Sequence, residues 1–205
     1  TAYRRQRQMC IRDRPLGLRI PREQLSQLAR TFGPTRALHS EELFLLYATQ
    51  HLTAGGYAYV LTGVASTYRA QFKEHRQQLL AQGHIEAVVE LPAGIYSATR
   101  IPAVLWVLRS RDAEESLLID ASGEAPETIP ARIAEWLTAA RNREATDVPY
   151  KAITLADVVT NDGSLSPSTY LAEPLSTDEA GSEFDSALQS LEETTKDLML
   201  SLIHI

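Results

Sequence analysis

The chain has 205 residues, a formal net charge of −6, a single cysteine and 44% hydrophobic residues. An acidic balance excludes a surface that coats nucleic acid broadly, so any DNA contact must be local. One cysteine excludes a disulfide framework, and no apolar run approaches the roughly 18–20 residues of a membrane span.

The two ends read differently from the rest. Residues 8–14 are QMCIRDR and residues 200–205 are LSLIHI. With one choice of codons the two stretches are reverse complements, which marks the transposase end used to build sequencing libraries. Residues 1–14 and 200–205 are therefore expected to be translated adapter, with Arg14 a hybrid codon. Five arginines against Asp13 give residues 1–14 a net +4, which leaves −10 for the remainder. Cys10 falls in the adapter, so the genuine segment holds no thiol for metal or redox chemistry. That fits a cytoplasmic protein with one domain and a tail.

In chain order, PREQLSQLART (21–31) has a helical pattern through Leu25, Leu28 and Ala29. HSEELFLLYATQHLTAGG (39–56) predicts a helix capped by Ser40, with Glu41 and Glu42 at the positive end of the dipole and Gly55-Gly56 as its stop. Leu43, Phe44, Leu46 and Tyr47 form its expected buried stripe. YAYVLTG (57–63) is a short apolar run bounded by glycines, hence a strand. Residues 67–83 predict a helix with Tyr68, Phe72 and Leu79 on one side. IEAVVELP (85–92), IPAVLWVLRS (101–110) and SLLIDAS (116–122) predict three further strands. The second of these is near-continuously apolar and is expected to be buried on both faces. The step from Val88 to Val104 has no room for a crossover helix, so those strands should pair antiparallel. IPARIAEWLTAARN (129–142) is amphipathic through Ile133, Trp136, Leu137 and Ala140. Residues 143–176 read as irregular, and SEFDSALQSLEETTKDLML (182–200) as the start of a helical tail. The order helix, strand, helix, strand, strand indicates an α/β fold.

Chemical motifs are sparse. There is no phosphate loop, GxGxxG, HExxH or nucleophile elbow. His39, His51, His75 and His84 lack ligand spacing and read as surface or loop groups. Asp120 closes a strand. Arg69, Lys73 and Arg76 share a helical face that is able to meet phosphate, against the ordinary reading of a solvated face. The most unusual stretch is the loop in LPAGIYSATRIPAVLWVL (91–108). Pro92 ends one strand, Gly94 permits a turn, Tyr96 is a loop aromatic, Thr99 is a hydroxyl before the next strand, and Pro102 sits at that strand's start. Loops at strand ends of open α/β sheets are where ligands bind.

Three stretches resemble the DNA adenine-N6 methyltransferase family, specifically the modification subunit of type I restriction-modification systems. The first is LTAGGYAYVLTGVAS followed by QFKEHRQQLLAQGHIEAVVELPAGIYSATRIPAVLWVLRS. The second is VVTNDGSLSPSTYL, with Asn161, Asp162, Leu165, Ser166, Pro167 and Tyr170 at the signature positions. The third is Pro15-Leu16-Gly17, where the family's catalytic Asn/Asp-Pro-Pro-aromatic tetrapeptide and its following glycine would finish, with Leu16 at the aromatic position. The resemblance implies the C-terminal half of a Rossmann-like sheet with an antiparallel strand pair near its end. It implies a partial catalytic domain over 15–122, the rest of the methylase region over 123–175 and a helical tail over 176–199.

The implied reaction moves a methyl group from S-adenosylmethionine to adenine N6 in DNA. The implied base or DNA contacts are Tyr96, Thr99 and Arg100, with Pro15, Leu16 and Gly17 as the catalytic remnant and no metal. The cofactor loop would lie upstream, so this segment alone is expected to be inactive. Implied partners are DNA, a specificity subunit, a second modification subunit and a restriction subunit. Two other readings stay open: a related methyltransferase acting on RNA or protein, and a non-catalytic assembly module. An intact tetrapeptide before Leu16 would mark an amine target, and loss of the glycine-rich cofactor loop would mark the assembly module.

Overall fold

The computed structural model describes residues 22–35, 38–95, 101–110 and 113–171. The chain divides into two units that meet between Leu171 and Ala172. The second unit, like Pro15, Leu16, Gly17, Tyr96, Thr99, Arg100 and both expected adapter ends, lies outside the described residues. Among the described residues no helix is long and apolar enough to cross a membrane.

Five strands form one sheet in the order β1-β3-β2-β4-β5. They are β1 (Tyr57–Gly63), β2 (Ile85–Leu91), β3 (Ala103–Arg109), β4 (Ser116–Asp120) and β5 (Tyr150–Ile153). β3 lies between β1 and β2 and is antiparallel to both, with Val60 opposite Trp106 and Val88 opposite Trp106 on the other side. The antiparallel pairing expected from the short Val88–Val104 connection is present. β1 and β2 therefore run the same way, and β4 runs parallel to β2. β5 closes the far side antiparallel to β4. The mixed α/β fold agrees with the sequence reading.

Alternation along the strands makes two cores. Val88, Val104, Trp106 and Leu118 point to one face, and Ala87, Val89, Val107, Leu117 and Ile119 to the other. The first face is covered by α1 (Arg22–Phe32), α2 (Ser40–Gln50) and α3 (Lys73–Ala81) through Leu28, Leu45, Leu46 and Leu79, and by Phe72 just before α3, all fully buried. The second is covered by α4 (Ile129–Arg141), whose Ile129, Trp136, Leu137 and Ala140 are buried on a helical stripe. Ile133 is partly buried in the same packing. The interior strand β3 is buried at five of its seven positions, as its apolar run predicts.

Three expectations need correcting. In α2 the buried stripe is Glu42, Leu45, Leu46 and Thr49, so of the four predicted residues only Leu46 is fully buried. The helix is rotated because Glu42 turns inward: its carboxylate accepts from the His39 backbone N–H at 2.8 Å and from Arg69 Nη1 at 2.6 Å. His39, not Ser40, is the capping residue, and the helix ends at Gln50, before the glycine pair. The segment 67–83 does not open as a helix. Two short 3-10 turns, Val64–Thr67 and Ala70–Phe72, precede α3, so Tyr68 swings off the buried stripe and is 56% exposed. Residues 143–171 are not irregular: they hold β5, α5 (Leu155–Thr160) and α6 (Pro167–Leu171). Thr154 caps α5, its hydroxyl accepting from the Asp157 N–H while Asp157 accepts from the Thr154 N–H at 2.8 Å.

Candidate functional site: the carboxyl edge of the parallel strands

β1, β2 and β4 all end at one edge of the sheet, at Gly63, Leu91 and Asp120. The loop after β2 leaves from this edge and β3 returns to it, with Leu91 and Ala103 paired in register. The strand stops at Leu91, just before Pro92, and Gly94 takes φ +96°, which an L side chain resists. Ile101, immediately before β3, is 60% exposed. Tyr96, Thr99 and Arg100 belong to the undescribed part of that loop.

The segment NDGSLSPSTY (161–170) runs along this edge, held by four contacts to neighbouring elements and by one within itself. Lys73 pairs with Asp162. Arg76 Nε donates to the Gly163 carbonyl at 2.8 Å. The Leu165 N–H donates to the Thr67 carbonyl at 2.8 Å, and the Leu165 side chain is fully buried in the first core. Ser166 Oγ lies 3.4 Å from Glu90 Oε2. The Tyr170 hydroxyl donates to the Ser164 carbonyl at 2.7 Å, and burial pushes its phenol up to about 12. Two backbone features make the docking possible. Asp162 and Gly163 take φ +53° and +75°, and a Cβ on Gly163 would stand 2.6 Å from Lys73 Cγ. The signature residues thus fasten the end of the domain to the first turn after β1 and to α3.

The expected phosphate face does not exist as a free cationic surface. Arg69 is held by Glu42 and Lys73 by Asp162. Arg76 is fully buried: its Nε donates to the Gly163 carbonyl at 2.8 Å and its Nη1 to the carbonyls of Ser66 and Arg69 at 3.2 and 2.9 Å, while Nη2 has no partner among the described residues. Burial lowers its guanidinium to about 10, which still leaves it charged at neutral pH. Of the histidines expected on the surface or in loops, His75 instead lies buried in α3, while His84 is in the loop before β2 but is buried there. His75 is 5% and His84 8% exposed. His84 Nδ1 has the Arg109 carbonyl at 3.0 Å. His75 stacks on Phe72 with ring centroids 5.8 Å apart, and neither ring nitrogen has a partner. Burial holds its imidazole below the ordinary value.

Carbonyl-rich and hydroxyl-rich packing also fixes the start of the edge. Trp106 Nε1 donates to Thr62 Oγ1 at 2.9 Å, and Thr62 and Ser66 share a 2.7 Å hydroxyl contact, all buried. This locks the turn that follows β1. On β2 and β4, Glu90 and Asp120 stand side by side in register, half-buried, on the face that carries Ser166. Nothing in the sequence singled out Glu90. Its signal would have been a carboxylate near the end of an otherwise apolar strand.

S-adenosylmethionine does not fit the described part of the edge. A nucleoside cofactor needs a strand that opens into a glycine-rich turn with a carboxylate for the ribose. Here Gly63 opens into a 3-10 turn, and a Cβ on it would meet only ordinary contacts at 3.5 Å. The Asp120 carboxylate is occupied by the Ser122 N–H at 2.9 Å.

The family model for N-6 DNA methylase matches residues 24–179. A crystal structure of the type I restriction-modification system methyltransferase subunit from Streptococcus thermophilus is similar at 26% identity and a TM-score of 0.58, over 65% of this chain and 31% of that one. A structure from a study of complex assembly and conformational transition in the type I R-M system is similar in fold at 18% identity and a TM-score of 0.54, over 82% of this chain and 40% of that one. The chain thus spans about a third of the length of the first structure. No curated protein matches the chain by sequence. The resemblance read from the sequence is borne out, and the chain belongs to the N-6 DNA methylase family.

Proposed function

We propose that this chain is part of a DNA adenine-N6 methyltransferase, the modification subunit of a type I restriction-modification system. The observation that carries the reading is the family match over residues 24–179, joined to 26% identity with a type I methyltransferase subunit. The methyl donor is S-adenosylmethionine, held by residues other than those described. The target base must leave the duplex stack, at a cost of a few kcal/mol, to reach a concave site. The contribution of the described residues is positional. The Trp106–Thr62–Ser66 bonds and the docked 161–170 segment hold the carboxyl edge rigid, and preorganised placement is the main lever in this kind of transfer.

Tyr96, Thr99 and Arg100 are assigned to base or DNA contact. The support is that their loop is anchored at Leu91 and Ala103, on the edge where α/β folds bind ligands. Pro15, Leu16 and Gly17 are assigned as the remnant of the catalytic tetrapeptide. A net acidic chain leaves most phosphate attraction to a specificity subunit, with a second modification subunit and a restriction subunit completing the assembly.

The test is methyl transfer. The complete subunit with its specificity partner, supplied with labelled S-adenosylmethionine and DNA, should place label on N6-methyladenine identified by mass spectrometry. Label in RNA or protein, or none, refutes the reading. The 205-residue chain alone should transfer nothing, and turnover by it would overturn the assignment of the cofactor site to other residues.

A further inference from the structure

Tyr68 lies in the connection from β1 to α3, five residues past Gly63, where β1 ends at the carboxyl edge. A continuous helix over 67–83 would bury it beside Phe72 and Leu79. Two 3-10 turns replace the first part of that helix, so Phe72 and Leu79 are fully buried while Tyr68 is 56% exposed. A lone exposed aromatic is ordinary on a protein surface; this one differs in how firmly it is held. On its amino side Thr67 is fully buried. The Thr67 hydroxyl donates to the Val64 carbonyl at 2.7 Å, and the Thr67 carbonyl accepts from the Leu165 N–H at 2.8 Å. On its carboxyl side the Arg69 guanidinium pairs with buried Glu42 at 2.6 Å, and the Arg69 carbonyl accepts from Arg76 Nη1 at 2.9 Å. The backbone is thus pinned on both sides of a side chain that, among the described residues, has no hydrogen-bond partner and no ring neighbour. The loop that carries Tyr96, Thr99 and Arg100 returns to the sheet beside it, because Ala103 pairs with Gly63 as well as with Leu91. Ile101, two residues before Ala103, is likewise exposed.

We propose that Tyr68 is a DNA-contacting residue of the methyl-transfer site, its ring a stacking platform for a base of the target site that has left the duplex stack. The proposal rests on the adenine-methyltransferase reading and adds to it a contact that needs no charge. Extruding a base gives up its stacking on both neighbours, and an aromatic ring recovers part of that loss whatever the base. Because the backbone around Tyr68 is already fixed, little ordering cost falls due when DNA arrives. The surrounding electrostatics agree. Arg69 is held by Glu42, Lys73 by Asp162 and Arg76 by backbone carbonyls. What the turn after β1 offers to DNA is therefore an apolar ring and not a phosphate clamp.

The complete subunit, assembled with its specificity partner, tests this on DNA that the wild type methylates. Tyr68→Ala should weaken DNA binding at least about fivefold. KM for DNA should rise with it while kcat at saturating DNA holds, since the ring does not touch the reacting atoms. The slope of log Kd against log salt should stay the same, because no charge is removed. Tyr68→Phe keeps the ring and should match the wild type. With 2-aminopurine scanned through the target site, one position should brighten in the Tyr68→Ala complex relative to the Tyr68→Phe complex. The side chain is exposed, so neither substitution should shift the urea midpoint. Wild-type DNA affinity in Tyr68→Ala, an equal loss in Tyr68→Phe, or a 2-aminopurine scan that is identical in the two variants would overturn the proposal and leave the methyl-transfer reading intact. A wild type that methylates no DNA would remove both.

Discussion

Gly163→Ala should be among the most damaging small substitutions on this surface. Two costs add. The residue sits at φ +75°, and an L side chain in that region costs about 1–2 kcal/mol. The new methyl would also stand 2.6 Å from Lys73 Cγ, 3.2 Å from Cδ and 3.3 Å from Cε. Lys73 must then swing away, which breaks its pair with Asp162. That pair is solvent-exposed, so its loss is worth only about 0.2–1 kcal/mol. The total is about 1.2–3 kcal/mol. Trp106 and Trp136 are both buried, so urea unfolding followed by tryptophan fluorescence reports the global transition. A double-mutant cycle separates the two costs. Lys73→Ala removes the atoms that clash, so Lys73→Ala/Gly163→Ala should be less destabilised than the sum of the single variants, leaving the backbone cost of about 1–2 kcal/mol. If Gly163→Ala changes stability by less than about 0.5 kcal/mol, or if the two substitutions are additive, the reasoning fails.

Leu165→Ala should cost about 2–5 kcal/mol, because the side chain is fully buried in the first core; calorimetry would expose an error as a near-unchanged Tm. His75 is buried without a partner and burial lowers its imidazole. The unfolded chain therefore takes up a proton first as pH falls below about 6.5. Stability should drop with acidification through that window and on to the lowered folded value, and His75→Leu should remove that component from a pH series of urea midpoints.

The strands and the long helix α4 were legible because their signals are local. YAYVLTG, IEAVVELP and IPAVLWVLRS are apolar runs between turn residues, and Trp136, Leu137 and Ala140 recur at helical spacing. Residues 143–171 were not legible for the opposite reason. β5 has four residues, α5 six and α6 five, too short for periodicity to rise above noise, and distant contacts hold them. Burial of Glu42 and Arg76 escaped the sequence because each is satisfied by groups far along the chain: Arg69 for the first, and the Gly163 carbonyl for the second. Of the site, the signature Asn161–Tyr170 was found only through family resemblance. Its physical work, a fastening against α3 and β2, needs three dimensions to see.

That fastening has a consequence for synthesis. The groups that seal the carboxyl edge pair across 76 residues for Ser166 and Glu90, 87 for Gly163 and Arg76, and 89 for Asp162 and Lys73. At roughly 5–20 residues per second, the nascent chain waits roughly 4–18 seconds for its closing segment. Until Leu165 emerges, the first core lacks one of its buried members. A ribosome paused in the 120–160 region would display an unfinished apolar face to chaperones and proteases, and rare codons placed there should lower yield without changing a single contact of the finished fold.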